Sequence, residues 1–267
     1  MNKKEINVIS AKLFLLLLFI IFFILAYCFT IPKASSYSYK AYTFHFFYLF
    51  DIFIMCICLF LLKIECLKKD DIWISVSIFT LSLSINIPIT FLSVLNGLCA
   101  VITYLTAKYI YAHSNCRILI VKERRIRAIA KSILMGIIIA CILFIIEKGF
   151  FFSLKQSTQI IPIIFNAIAA AVSEEIIFRY FLFAIIVKAY NGEVKNMLIA
   201  YLFLIIPFSA LHLIDGIILG GFLSVIPALI SMVLISAIHS IIACKRDLLT
   251  AISMHFTIDF ILALLVK

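Results

Sequence analysis

The chain has 267 residues, 66% of them hydrophobic and 13% charged, with a formal net charge of +10. A soluble domain is about 45–50% apolar and about 25% charged, and its surface has to be covered by polar groups. These figures exclude an ordinary soluble enzyme, a disordered chain, a collagen-like repeat and a disulfide-stapled scaffold, and leave a polytopic membrane protein.

Seven Gly and five Pro against 26 Phe favour long apolar helices over the short alternating strands of a transmembrane barrel. The basic residues lie between apolar runs, so the charge reads as membrane orientation and not as nucleic-acid binding. The eight Cys show no CxxC spacing, which argues against a cysteine-built zinc site or a disulfide framework.

A helical span needs about 20 apolar residues. The first run, 13–31, is longer than a signal-peptide core and no A-x-A site follows it, so it reads as a retained helix. The second, 43–62, contains Asp51. The run 72–111 is too long for one helix and is split near Thr90–Ser93, just beyond Pro88. A basic stretch follows with Arg117, Lys122, Arg124, Arg125, Arg127 and Lys131, which reads as a positive-inside anchor on the lipid surface. Further runs lie at 132–147, 160–187, 196–214, 217–243 and 248–266. The expected fold is an all-α bundle of about eight or nine spans with short loops. Lys and Arg fall mostly in alternate loops, which places the N-terminus in the cytoplasm.

An ionisable group inside a bilayer costs about 2.5–3.5 kcal/mol on the insertion scale, so each one needs a reason. The strongest cluster is Ser173-Glu174-Glu175-Ile176-Ile177-Phe178-Arg179, near the middle of the 160–187 run. Glu175 and Arg179 are four apart and can pair on one helix face. Glu174 points about 100° away and has no local cation, and a carboxyl in an apolar site suits general acid–base work. Phe208 and His212 share a face of the next run, where the ring can buttress the imidazole. His255 and Asp259 share a face of the last run. Two His and a Glu from three helices either hold a metal or activate a water without one. Asp51, Asn86, Asn96, Asn166, Asp215 and His239 read as interhelical hydrogen-bonding or interfacial groups, and His45 and His113 as interfacial. One difficulty is that His212 falls near the outer end of its run and His255 nearer the inner end of its own.

EExxxR, FxxxH and HxxxD, in that order on separate late helices, resemble the CPBP intramembrane proteases, the CAAX-protease and bacteriocin-processing or Abi family. The resemblance covers about residues 130–267 and divides the chain into an N-terminal set of helices with the basic loop, 1–130, and a catalytic core, 131–267. It implies a helical membrane core with a polar cavity open to the cytoplasm. It further implies that Glu174 is the general base, that Glu175 and Arg179 are a structural pair, and that His212 and His255 position water and stabilise the oxyanion. Asp259 takes a position where Ras-type CAAX endopeptidases carry Asn. An ionised Asp cannot donate to an oxyanion, so Asp259 orients His255 or stays protonated. The family has been read both as metal-free and as metal-dependent. A divalent metal such as zinc, if present, would fall to Glu174, His212 and His255. The Ile-, Phe-, Lys- and Asn-rich composition points to a bacterial plasma membrane. The expected substrate is a membrane-associated peptide or protein: CAAX-like, a bacteriocin precursor or a pheromone precursor. The competing readings are a non-catalytic bacteriocin-immunity or scaffold protein, and a transporter. The transporter is disfavoured by the lack of matched broken helices.

Overall fold

The computed structural model describes residues 39–62, 68–83, 91–122, 125–148, 160–192, 194, 196–220 and 225–265. The expected span 13–31, Asn86, and the side chains of His45 and Asp215 lie outside that description. Among the described residues every regular element is helical: α1 (Tyr39–Leu61), α2 (Lys69–Leu83), α3 (Phe91–Ala112), α4 (Arg125–Lys148), α5 (Ile160–Ala189), α6 (Met197–Gly220), α7 (Val225–Lys245) and α8 (Leu248–Leu265). Four are long and apolar enough to cross a membrane, at Ser93–Ala112, Ile126–Ile145, Ile160–Ala189 and Leu248–Leu265. Leu49–Leu61, Met197–His212 and Leu229–Lys245 are shorter apolar stretches. The chain is an all-helical membrane bundle.

The helix ends are written locally. Beyond Ala189, Asn191 and Gly192 take the left-handed conformation (φ 54° and 91°), and the Gly192 N–H returns to the Val187 carbonyl at 2.8 Å. This is the usual way for a helix to stop. Asn196 starts α6, its side-chain oxygen accepting from the N–H groups of Leu198 and Ile199 at 3.0 and 3.3 Å. Asp247 starts α8, accepting from the Thr250 N–H at 2.8 Å and the Thr250 hydroxyl at 2.6 Å. α6 continues to Gly220, past the expected end at 214, with Pro207 inside it. A membrane bundle tolerates such a proline when neighbouring groups satisfy the backbone that it frees.

α5 is the central element. It packs on α2, α3, α6, α7 and α8, while α4 lies on α8. Gly136 sets the α4–α8 approach: a Cβ there would stand 2.8 Å from Thr257 Cβ and 3.1 Å from the Met254 carbonyl. In a bilayer, where apolar side chains gain little by leaving lipid, such close backbone contact is what holds helices together. Within α5, residues Ile176–Phe181 form a π-helical turn. Helices α1 and α3 grip that turn. Phe50 stacks on Phe178 at 5.2 Å, Tyr104 and Tyr111 pack on Tyr180 at 5.8 and 5.0 Å, and the Tyr111 hydroxyl donates to the Tyr180 carbonyl at 2.8 Å.

Two helical hairpins thus build the C-terminal half, α5–α6 around residues 190–196 and α7–α8 around Arg246–Asp247. The second turn is covered by the segment after α3. Leu248 and Leu249 donate to the carbonyls of Leu119 and Ile120 at 2.9 and 3.0 Å, and the Lys122 N–H donates to Asp247 Oδ2 at 3.1 Å.

Candidate active site

Glu174 lies fourteen residues from one end of α5 and fifteen from the other, so it stands at the middle of the helix. Its Oε2 is 3.4 Å from His212 Nε2 and 3.7 Å from His255 Nε2. Thus α5, α6 and α8 bring Glu174, His212 and His255 together. The expected mismatch in depth between the two His rests on helix ends lying at one level. His212 is fifteen residues into α6, about 22 Å along the axis, and His255 only seven into α8, about 10 Å. Both rings nevertheless reach one oxygen, so the α7–α8 turn sits deeper than the α5–α6 turn. The backbone of 119–122 lies against the deeper turn and satisfies its polar groups.

The neighbouring carboxylate faces a different set of groups. Glu175 Oε1 is 2.8 Å from His255 Nδ1, 3.3 Å from Arg179 Nη1 and 3.3 Å from His239 Nδ1. The Glu175–Arg179 pair expected from the spacing forms. Both side chains are 0% exposed, and Arg179 Nη2 also donates to the Ser236 hydroxyl at 3.3 Å. A buried pair survives desolvation only with such further partners. An ionised carboxylate can only accept, so His255 carries its proton on Nδ1 and turns Nε2 toward Glu174 and toward Asp259 Oδ2, 3.4 Å away. Asp259 thereby reaches His255 on its own helix.

Phe208 ties the two sides together. Its ring lies 4.5 Å from His212, 5.3 Å from Phe178 and 6.1 Å from His255, and the Arg179 guanidinium stands 4.2 Å above it. The FxxxH spacing therefore does more than buttress the imidazole; it seats the guanidinium of the first motif.

His239 is the residue that the sequence reading set aside. It is wholly buried, faces Glu175, and stacks on His255 with centroids 4.7 Å apart and planes 26° from parallel. A signal for it exists in the numbering. His239 and His255 stand nearly equidistant from the Arg246–Asp247 turn, so an antiparallel hairpin places them side by side. Of the other polar residues, Asp51 is buried in α1, with the Cys99 thiol donating to its backbone carbonyl at 3.6 Å, and Asn166 is exposed.

Residues 156–261 match the family model described as type II CAAX prenyl endopeptidase Rce1-like. This matches the family that the three motifs resemble. No curated protein and no solved structure matches the chain. The Rce1-like segment contains all seven motif residues, from Glu174 to Asp259, and leaves α1 to α4 outside it.

Metal dependence has two donor sets to consider. Glu174 with His212 and His255 presents one oxygen and two nitrogens, with edges of 3.4 and 3.7 Å. Donors around a tetrahedral zinc ion stand about 3.3–3.5 Å apart; the donor types of this set suit zinc, but it is not a group whose ligand atoms all close to within 4.8 Å. A second set, Glu175 with His239 and His255, offers ligand atoms within 4.8 Å of one another, all on buried residues.

Proposed function

We propose that the protein is an intramembrane endopeptidase. The observation that carries this is the Glu174 carboxylate at the middle of a long apolar helix, facing two imidazoles from two other helices at 3.4 and 3.7 Å. Glu174 takes a proton from water as the water oxygen attacks the scissile carbonyl carbon, and returns it to the leaving amine nitrogen. His212 holds the water against Glu174. Protonated on both ring nitrogens, His255 donates its Nε2–H to the developing oxyanion, and Glu175 fixes that presentation by accepting from Nδ1–H. Asp259 bears on the same ring and counters the charge of that imidazolium. A divalent metal such as zinc, if bound, would be held by Glu174, His212 and His255 and would supply Lewis-acid polarisation and an acidified water.

Exposure supports a polar cavity on one side of this set. Arg179 and Glu175 are 0% exposed, Glu174 and His212 17% and 18%, and Asp259 34%. In the proposed architecture this cavity opens to the cytoplasm of a bacterial plasma membrane, within a core of residues 131–267. The helices of 1–130 pack beside that core, the chain spans the bilayer eight or nine times, and its N-terminus lies inside. The substrate is a membrane-associated peptide or protein, CAAX-like or a bacteriocin or pheromone precursor.

The test compares purified wild type with Glu174→Gln on a pool of membrane-peptide and CAAX-like substrates, read by mass spectrometry with and without chelator. Cleavage by wild type alone is expected. An inserted, folded Gln variant that still cleaves removes Glu174 from the mechanism, and cleavage by neither from folded protein turns the reading toward immunity or scaffolding.

A further inference from the structure

The π turn stands between the two halves of α5. Glu174 and Glu175 end the α-helical part before it, Phe178 and Arg179 lie within it, and Leu182–Ala189 follow, packed on α3 and α6. The Leu182 N–H is shared between the carbonyls of Ile177, five residues back, and Arg179, three back. One extra residue in a turn re-faces everything beyond it by about 100°. If the turn relaxed to α, the two halves could not both keep their neighbours. Either Glu174 and Glu175 would swing away from His212 and His255, or Leu182–Ala189 would swing away from α3 and α6.

The turn reads Ile-Ile-Phe-Arg-Tyr-Phe, with no Gly or Pro. Breaks in a helical ladder come from Pro, from Gly or Ser pairs, or from groups that act on the ladder from outside. The cause here therefore lies in the neighbours. Two buried tyrosines of α3 press on Tyr180, Tyr104 with its ring stacked at 5.8 Å and Tyr111 edge-on at 5.0 Å. Their hydroxyls part company. Tyr104 donates to Asp71 Oδ1 on α2 at 2.9 Å, whereas Tyr111 donates to the Tyr180 backbone carbonyl at 2.8 Å. A buried carbonyl in a disturbed ladder needs such a donor.

We propose that Tyr111 is a positioning residue of the site: its hydroxyl holds the turn of α5 in π register. The turn in that register seats Arg179 against Glu175, and Phe178 against the Phe208 ring that backs His212. Helix α3 lies outside residues 156–261, so the Rce1-like segment does not hold its own site geometry alone. The effect on hydrolysis rests on the protease reading; the effect on site geometry does not.

The test uses full-length protein in detergent. Tyr111→Phe keeps the ring and removes the hydroxyl. Tyr104→Phe is the matched control, because it removes a buried hydroxyl bond from the same helix without touching the turn backbone. Ring-¹⁵N histidine resonances are read by NMR without substrate, with His212 and His255 assigned through His212→Gln and His255→Gln. In parallel, kcat and KM are measured on a pool peptide that wild type cleaves. Tyr111→Phe should shift the His212 and His255 resonances and lower kcat by about tenfold with KM unchanged. Tyr104→Phe should lower the melting temperature and leave the resonances and kcat as in wild type. Encoding 4-aminophenylalanine at position 111 restores a donor on the same ring and should restore both readouts, and it serves in place of Tyr111→Phe if that variant does not fold. Unchanged resonances in folded Tyr111→Phe, equal shifts in both Phe variants, or no restoration by the amino ring would each overturn the proposal. If wild type cleaves nothing, the protease reading fails, and the resonances alone still decide this one.

Discussion

Glu174 and Glu175 are adjacent in sequence, yet they occupy opposite sides of one imidazole. On the closed side, Glu175 meets Arg179 and His239, all at 0% exposure. On the open side, Glu174 meets His212 at 17% and 18% exposure, with Asp259 at 34%. In the proposed mechanism the same side chain type therefore has two jobs. A carboxylate saturated with buried cationic and N–H partners is an orienting group, whereas one with space beside it can take a proton from a substrate water. The division arises because consecutive helical residues point about 100° apart, and α5 has different neighbours in those two directions.

The largest expected effect belongs to the open side. Glu174→Gln should lower cleavage by about 10²–10⁴-fold with the melting temperature nearly unchanged, checked by parallel activity and thermal-melt assays. A matching loss of stability would erase the distinction between the two carboxylates. On the closed side the pattern reverses. Arg179→Ala strands Glu175 as an uncompensated buried charge and should destabilise the fold by about 3–5 kcal/mol, read by denaturation in mild detergent. Restoring neutrality with Arg179→Ala/Glu175→Gln should recover much of that stability without restoring cleavage.

A smaller effect tests whether the α8 face is rigidly placed. Gly136→Ala puts a Cβ 2.8 Å from Thr257 Cβ, next to the helix turn that carries His255. Overpacking of this kind costs about 1–3 kcal/mol, so the melt should shift down and kcat should fall more than KM changes.

The smallest effect is a control from outside the site, at the end of the apolar run. Burial favours the neutral form of Asp71, but it is overcome by the Lys68 N–H, the Lys108 ammonium at 3.1 Å and the Tyr104 hydroxyl at 2.9 Å, which hold the carboxyl below its ordinary range. A depressed value means that the stabilisation is complete above about pH 4, the unfolded value, and is lost as pH falls through the lower folded one. Lys108 is 32% exposed, so the loss should be only about 1 kcal/mol. Melts of wild type and Asp71→Asn should differ at pH 7 and converge in acid. A difference that persists in acid would show that packing, not charge, joins α2 to α3.

Much of this arrangement was legible in advance. The Glu175–Arg179 pair, the Phe208–His212 contact and the His255–Asp259 contact are all local, four residues apart on one helix, where period alone dictates adjacency. The division of 72–111 near Thr90–Ser93 agrees with α3 restarting at Phe91. The role of His239 was not legible as a motif, because it belongs to α7 and meets Glu175 and His255 only across the bundle. The depth of His255 was misjudged for a related reason. Hydropathy reports where a run begins, not how deep its turn is seated, and the 119–122 backbone that covers the α7–α8 turn comes from far away in sequence.

The sequence by itself determined the all-helical membrane character, because 66% apolar content has no other folded solution, and it determined the motif residues and their intrahelical partners. Only the tertiary structure decided which carboxylate is closed in and which is open, which nitrogen of His255 faces which acid, and that His239 joins them. Those outcomes depend on helix rotation and relative depth, and these are set by close contacts such as Gly136 against Thr257 and Tyr111 against the π turn, which no single helix encodes.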